Sequence, residues 1–294
     1  MNFLFVCYYK TGDIMDFEKL NKLHLQNKKN IKKVFVIFPI CFIGVAIGAI
    51  MHNLLVSVIF FLIMVIASVF ILRNKHDIGG ELLNQYILPI LKDSFENFKY
   101  DDCDGLDLEL IKYLDFIRTL GCGIKSEYSM EGYYKNVYFL EGGVECTKNV
   151  RSNGDVHTDT TFSGRVIVFD LSLFKGDGVI DVVCRKPLRY KFITDNTKVK
   201  FDHEISEYYD IYVSDDCLKL KENVMNYFTI LAKNYSYCDF YFRITSDKLY
   251  MVIDNIDCYK FDVDKLEVIS KESIDELIKK ECAFITNTIS NIID

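Results

Sequence analysis

The longest apolar run in the chain is VFVIFPICFIGVAIGAIMHNLLVSVIFFLIMVIASVFIL, residues 34–72, and it contains no Lys, Arg, Asp or Glu. Its one strongly polar break is His52-Asn53. Residues 34–51 supply 18 positions and residues 54–72 supply 19, each close to the roughly 20 needed to cross a hydrocarbon core. One straight helix over the whole run would be about twice as long as that core is thick, more than tilt absorbs. The pattern therefore predicts a transmembrane helical hairpin with spans at 34–51 and 54–72. The competing reading, a buried soluble core, requires helices that are apolar on every face.

Downstream, the period alternates between helix and strand. Leu83, Ile87, Ile90, Leu91, Phe95 and Phe98 predict one helix over 78–99, bent at Pro89. Leu108, Ile111, Leu114, Phe116 and Ile117 predict another, capped by Asp104 or Asp107 and stopped at Gly121. From Gly123 to about Val213 the period falls to two, through YYKNVYFLEGGVECTKNV, DVHTDTTFSGRVIVFDLSLF, GVIDVVCRK and YYDIYVSDD. Asn153-Gly154 is a hairpin signal between the first two of these segments. Val224, Tyr227, Phe228 and Leu231 mark one helical face, and CDFYFRI with LYMVID a second hairpin turning at Ser246-Asp247. The chain closes on a helix with Ile274, Ile278, Glu281, Ile285, Ile289 and Ile292 at heptad-like spacing, apolar except for Glu281. Ser273 and Glu276 suit a capping box at its start. The fold class implied is α+β: a segment at 1–33, the hairpin at 34–72, and a domain at 73–294 with a largely antiparallel sheet and flanking helices.

Charge orients this arrangement. Lys22, Lys28, Lys29, Lys32 and Lys33 precede the first span, Arg73 and Lys75 follow the second, and the turn between carries neither Lys nor Arg. The positive-inside rule then puts both termini in the cytoplasm, as expected of a multi-pass cell-membrane protein. Residues 1–33 hold a net charge of +4 and the chain from Arg73 onward −11. An acidic domain argues against nucleic acid as the main partner. Lys outnumbers Arg 28 to 7, a bias suggesting an AT-rich bacterial genome. The opening MNFLFVCYYK lacks the basic region and cleavage site of a secretion signal, and Val6 before Cys7 does not suit a lipoprotein. Translation is expected to start, or to be able to start, at Met15.

The arrangement of FSGRVIVFDLSLFKG (Phe162, Gly164, Asp170, Phe174, Gly176), EYYDIYVSDD, LKENVMNYFTIL and the hairpin FYFRITSDKLYMVI resembles an uncharacterised bacterial membrane-protein family, domain of unknown function 3137. The resemblance covers nearly the whole chain and implies the double N-terminal span and this order of blocks. It implies no activity, cofactor or catalytic residue. MDFEKLNKLHLQNKKN resembles the family's usual start, fourteen residues into this chain.

Candidate chemistry is sparse. The ten cysteines are scattered, with no two within four residues, and the five histidines are dispersed, so neither a C-x-x-C pair nor a metal set forms. They read as reduced thiols used as small apolar residues. Aligning Gly105 with the glycine of a calcium loop puts Tyr100 and Ile111 at ligand positions that need carboxylates, which excludes that loop. Cys122 between two glycines offers a thiol that His157 or His203 would have to activate, or simply a helix-to-strand junction. Asp215-Asp216 suits an acid pair, or a cap for a helix beginning near Leu218. No catalytic, cofactor or metal site is assigned.

Two non-catalytic features remain. Gly44 and Gly48 form a small-residue pair for helix packing, against the second span or a second copy of the chain. Arg185, Lys186, Arg189 and Lys191, in RKPLRYKF, are lipid-facing candidates for anionic head groups, or else a charged edge that resists aggregation. The expected function is that of a membrane-anchored cytoplasmic domain, a non-enzymatic binding or scaffold protein whose partners are the bilayer and another membrane protein or itself. The alternative is a tethered hydrolase whose carboxylates, among them Asp170, Asp215 and Asp216, meet only in the fold.

Overall fold

A computed structural model describes residues 15–73, 78–114, 122–152, 155–174, 177–187, 194–215, 218–254 and 266–293. The chain forms two compact units, residues 1–87 with 261–277, and residues 88–260 with 278–294. Expectations for residues 1–14, Phe116, Ile117, Gly121, Asn153-Gly154, Arg189, Lys191 and Asp216 lie outside the described residues.

In the first unit, Asp16 caps helix α1 (Phe17–Ile50) by accepting the Lys19 N–H at 2.9 Å. The helix runs 34 residues without interruption. The polar residues before position 34 are thus the first half of the same helix as the apolar stretch, rather than a segment apart from it. The polar half is held by a stripe at i, i+4, i+7 spacing, Leu20, His24 and Asn27, all buried. His24 Nε2 lies 2.8 Å from the Leu266 carbonyl, which also accepts from Lys28, and Asn21 Oδ1 accepts the Ile269 N–H at 3.0 Å. Phe17 meets Tyr86 edge-on, and the Tyr86 hydroxyl donates to Asp275.

The His52-Asn53 break is a helix stop followed by a helix start. His52 takes a left-handed φ of 53°, its N–H bonds to Ala49 O, and the Asn53 N–H bonds to Gly48 O, which satisfies carbonyls at the end of α1. Asn53 Oδ1 then accepts the Val56 N–H and caps α2 (Leu54–Arg73). By length and composition, α1 is long and apolar enough to cross a membrane.

The single helix expected over 78–99 divides into α3 (Ile78–Leu82), a π turn (Leu83–Ile87) and α4 (Leu88–Ser94), and gives way to strand β1 (Glu96–Asp101). Pro89 has no N–H to donate to the preceding turn, and the wider π turn lies just ahead of it. The strand escaped the periodicity reading because it is bulged. Asn97 takes φ 51°, and the pairing of β1 with β2 (Cys122–Tyr134) shifts between Glu96 and Lys99. The bulge brings Phe95 and Phe98 onto one side, rings 6.1 Å apart, so that a strand shows the three-residue spacing of a helix.

The second unit is built on a nine-stranded sheet whose described pairs are all antiparallel, in the order β1-β2-β3-β4-β9-β8-β5-β7-β6. Its remaining strands are β3 (Val137–Ser152), β4 (Asp155–Phe169), β5 (Ile180–Cys184), β6 (Thr197–Val199), β7 (Tyr209–Val213), β8 (Asp239–Ile244) and β9 (Leu249–Asp254). β2 and β3 are joined by Lys135 and Asn136, both with positive φ, a two-residue turn whose twist matches the strands. The sequence pattern ran these two strands together. β3 and β4 pair up to Ser152 and Asp155, on either side of the expected hairpin turn.

Opposed residues on neighbouring strands share a face, which sorts the sheet into two sides. On one, α5 (Leu108–Leu114) packs Ile111 and Leu114 onto Val144, Val166, Val168, Val183, Tyr241 and Val252. Asp107 caps this helix through the Glu109 N–H. The other side carries α7 (Glu222–Asn234) and the C-terminal half of α8 (Lys271–Ile293). Phe228 stacks on Phe242 at 3.8 Å between centroids, and Tyr227 and Thr288 share a hydroxyl hydrogen bond of 2.7 Å. A four-residue helix, α6 (Ile205–Tyr208), precedes β7.

Two predicted caps change. α7 begins at Glu222 with Lys221 before it, so the helix does not start near Leu218 and Asp215 does not cap it. The box at the start of α8 is Ser270 with Ser273, each side chain accepting the other's backbone N–H, rather than Ser273 with Glu276.

Candidate functional site

The surfaces of the two apolar helices are exposed. Phe35 is 75% accessible, Phe42 72%, Ile50 78% and Leu54 79%, a continuous apolar exterior that water disfavours. Gly44 and Gly48 face α2. A Cβ on Gly44 would lie 2.5 Å from the Phe60 ring, and one on Gly48 would lie 2.5 Å from Ser57 Oγ and 2.7 Å from its backbone nitrogen. Ser57 Oγ donates to the Val45 carbonyl across the same contact. The small-residue face is thus filled by α2. Gly48→Leu meets backbone that cannot step aside, and is expected to destabilise the packing of α1 on α2 by about 1–3 kcal/mol. Thermal melting of the detergent-solubilised chain checks this, and an unchanged midpoint would count against it.

The basic patch is partly neutralised. Arg185, just after β5, donates to Ser206 O and lies 3.6 Å from Asp210, which also holds Lys198 at 2.7 Å. Lys186 is exposed. Two of the four lipid-facing candidates are therefore placed, one of them beside a carboxylate.

Of the acids of the hydrolase alternative, the two described, Asp170 and Asp215, are not gathered. Asp170 follows β4 and pairs with Lys248 at 3.6 Å. Asp215 follows β7 at the same end of the sheet, but four strand spacings away, roughly 19 Å at about 4.8 Å each. Cys122 and His157 are likewise separated, since β3 runs between them, opposing Cys122 with Lys148 and His157 with Val150. His203 instead contacts Asn226 and accepts the Ile205 N–H. Cys41, Cys103 and Cys184 are free thiols. Burial, aided by the neighbouring Asp239 carboxylate, pushes the Cys184 thiol up to about 11, which keeps it protonated and unreactive. Asp101, Asp102 and Cys103 bring three ligand atoms within 4.8 Å of one another, all exposed.

The densest chemistry is buried under α8. Arg165 on β4 is 1% exposed. Its Nη1 and Nη2 donate to Glu281 of α8 at 3.0 and 2.8 Å, while Nη2 and Nε lie 3.3 and 3.2 Å from Glu141 of β3. Phe284, one turn along α8, lies against the guanidinium at 5.5 Å. Burial pushes the Glu141 carboxyl well above the usual carboxylate range against the opposing pull of Arg165, and pushes Glu281 upward as well. Burial also drives the Tyr128 phenol, which faces this group from β2, well above its ordinary value. The sequence held one trace of this cluster, the single acidic residue in the apolar stripe of the last helix. Glu141 and Arg165 lie inside largely apolar strand segments whose alternation does not single them out.

A second buried charge lies on the opposite face. Asp181 of β5 is fully buried and accepts from Arg243 Nε at 2.9 Å, Tyr241 Oη at 2.9 Å, Thr194 Oγ1 at 2.6 Å and Asn196 Nδ2 at 2.8 Å. Arg243 also donates to the Tyr113 carbonyl. With five donors converging, counting the second guanidinium nitrogen at 3.4 Å, this carboxylate is saturated from within the chain. Comparison with protein-family models, with curated proteins and with solved structures finds no match.

Proposed function

We propose that this is a membrane-anchored protein with two spans, both termini cytoplasmic, whose α+β domain works by binding rather than by catalysis. The observation that carries the reading is the apolar exterior of α1 and α2, exposed from Phe35 to Val69. Lipid tails cover such a surface at no cost, whereas water does not. Supporting it, α2 is 20 residues long, and between Val34 and Leu72 neither helix carries a charged side chain. The lysines ahead of position 34 and the absence of Lys or Arg at the His52-Asn53 turn favour cytoplasmic ends. The order of blocks resembling domain of unknown function 3137 points the same way. The binding role is supported by the separation of Asp170 from Asp215. The partner class is another membrane protein or the inner-leaflet surface.

Alkaline carbonate washing and a reporter fused after Asp294 test the anchor and its orientation. The chain is expected to stay in the pellet and the reporter to work only in the cytoplasm. Release by carbonate removes the anchor, and a reporter active only outside the cytoplasm removes the topology. Crosslinking in intact membranes tests the binding role, where recovery of the monomer alone would count against it.

A further inference from the structure

The cluster under α8 has an unequal charge count. Arg165 keeps its charge at any physiological pH, so two ionised carboxylates around it would leave one uncompensated negative charge in a site where Arg165 and Glu141 side chains are each 1% exposed. Among the described residues, the remaining groups that face it do not restore balance. Tyr128 from β2 supplies a hydroxyl that stays neutral, Tyr100 from β1 stacks on Tyr128 at 6.2 Å, and Phe284 from α8 is uncharged. Glu141 Oε2 and Glu281 Oε1 also converge on one nitrogen, Arg165 Nη2, at 3.3 and 2.8 Å. Two ionised carboxylates held against the same nitrogen repel each other, and one proton between them relieves that repulsion.

We infer that Glu141 and Glu281 hold one exchangeable proton between them against Arg165, and that this proton fastens the C-terminal half of α8 to the sheet. With the proton present, the guanidinium is matched by one carboxylate and the other carboxyl donates to it. Without it, the pair repels across the interface between β3 and α8. The direction follows from linkage. The folded site binds a proton that the unfolded chain has already released above about pH 4.3. Stability from this pair is therefore present at low pH and lost as pH rises through the folded value.

The test uses the full chain in mild detergent and reads the infrared carbonyl band of protonated carboxyl groups. At neutral pH the wild type is expected to show such a band, which Glu141→Gln and Glu281→Gln each remove. Amide exchange in residues 278–293, corrected for its intrinsic pH dependence, is expected to accelerate about tenfold between about pH 6 and pH 9 in the wild type and to stay level in Glu141→Gln. If neither glutamine variant folds, the band of the wild type alone decides. Its loss on titration to alkaline pH supports the shared proton, and the absence of any protonated carboxyl band at neutral pH overturns it. A band that persists in both glutamine variants also overturns it.

Discussion

Replacing Arg165 with Met should destabilise the sheet unit by about 3–5 kcal/mol, because it leaves two buried acids facing each other without their cation. Arg165 donates to Glu281 through two nitrogens and contacts Glu141 through two, so no single neighbour can substitute for it. The loss should be largely recovered when the acids are removed together with the cation, as in Arg165→Met with Glu141→Leu and Glu281→Leu. Buried ion clusters replaced whole by apolar side chains are commonly neutral or stabilising. Chemical denaturation of the full chain in detergent measures both. A single-variant cost below about 1 kcal/mol, or a triple variant no better than Arg165→Met, would show that the cluster does not hold α8 as described.

The second large effect is expected at Asp181. Asp181→Ala strands the Arg243 guanidinium, whose side chain is only 13% exposed, and the Tyr241 hydroxyl. A cost of about 3–5 kcal/mol is expected, typical of breaking a buried pair from one side. Asp181→Asn keeps an acceptor and should cost less. The contrast between the two, read from the same denaturation curves, separates loss of charge from loss of hydrogen bonds. Equal costs would mean that the charge on Asp181 contributes nothing.

These clusters show where reading the sequence stops. The last helix was legible as an apolar stripe, and Ile274, Ile278, Ile285, Ile289 and Ile292 are buried along it. Glu281 was visible as the one exception, but its partner lies 116 positions away on another element. Periodicity reports which face a residue occupies and carries no information about what lies opposite. Asp181 was hidden differently, in a strand apolar on both sides, IDVVC, where alternation gives no clue to a charged position. The helix over 96–99 failed because a bulge gave Phe95 and Phe98 the spacing of a helix. Helix α1 exceeded its expected bounds because the apolar count registers only the lipid-compatible half. The polar half is ordered by side chains reaching Leu266 and Ile269, more than two hundred residues away.

That unbroken helix also acts as a ruler. At 1.5 Å per residue, the 17 positions before Val34 extend roughly 25 Å beyond the apolar half. With that half in a bilayer, as proposed, Lys28 stands about 9 Å outside the hydrocarbon edge and Asn21 about 20 Å. The head-group layer occupies about 5–8 Å of that distance. The stretch from Leu266 to Ile269, tied to Lys28, His24 and Asn21, then lies outside the head groups, at a height set by the length of α1.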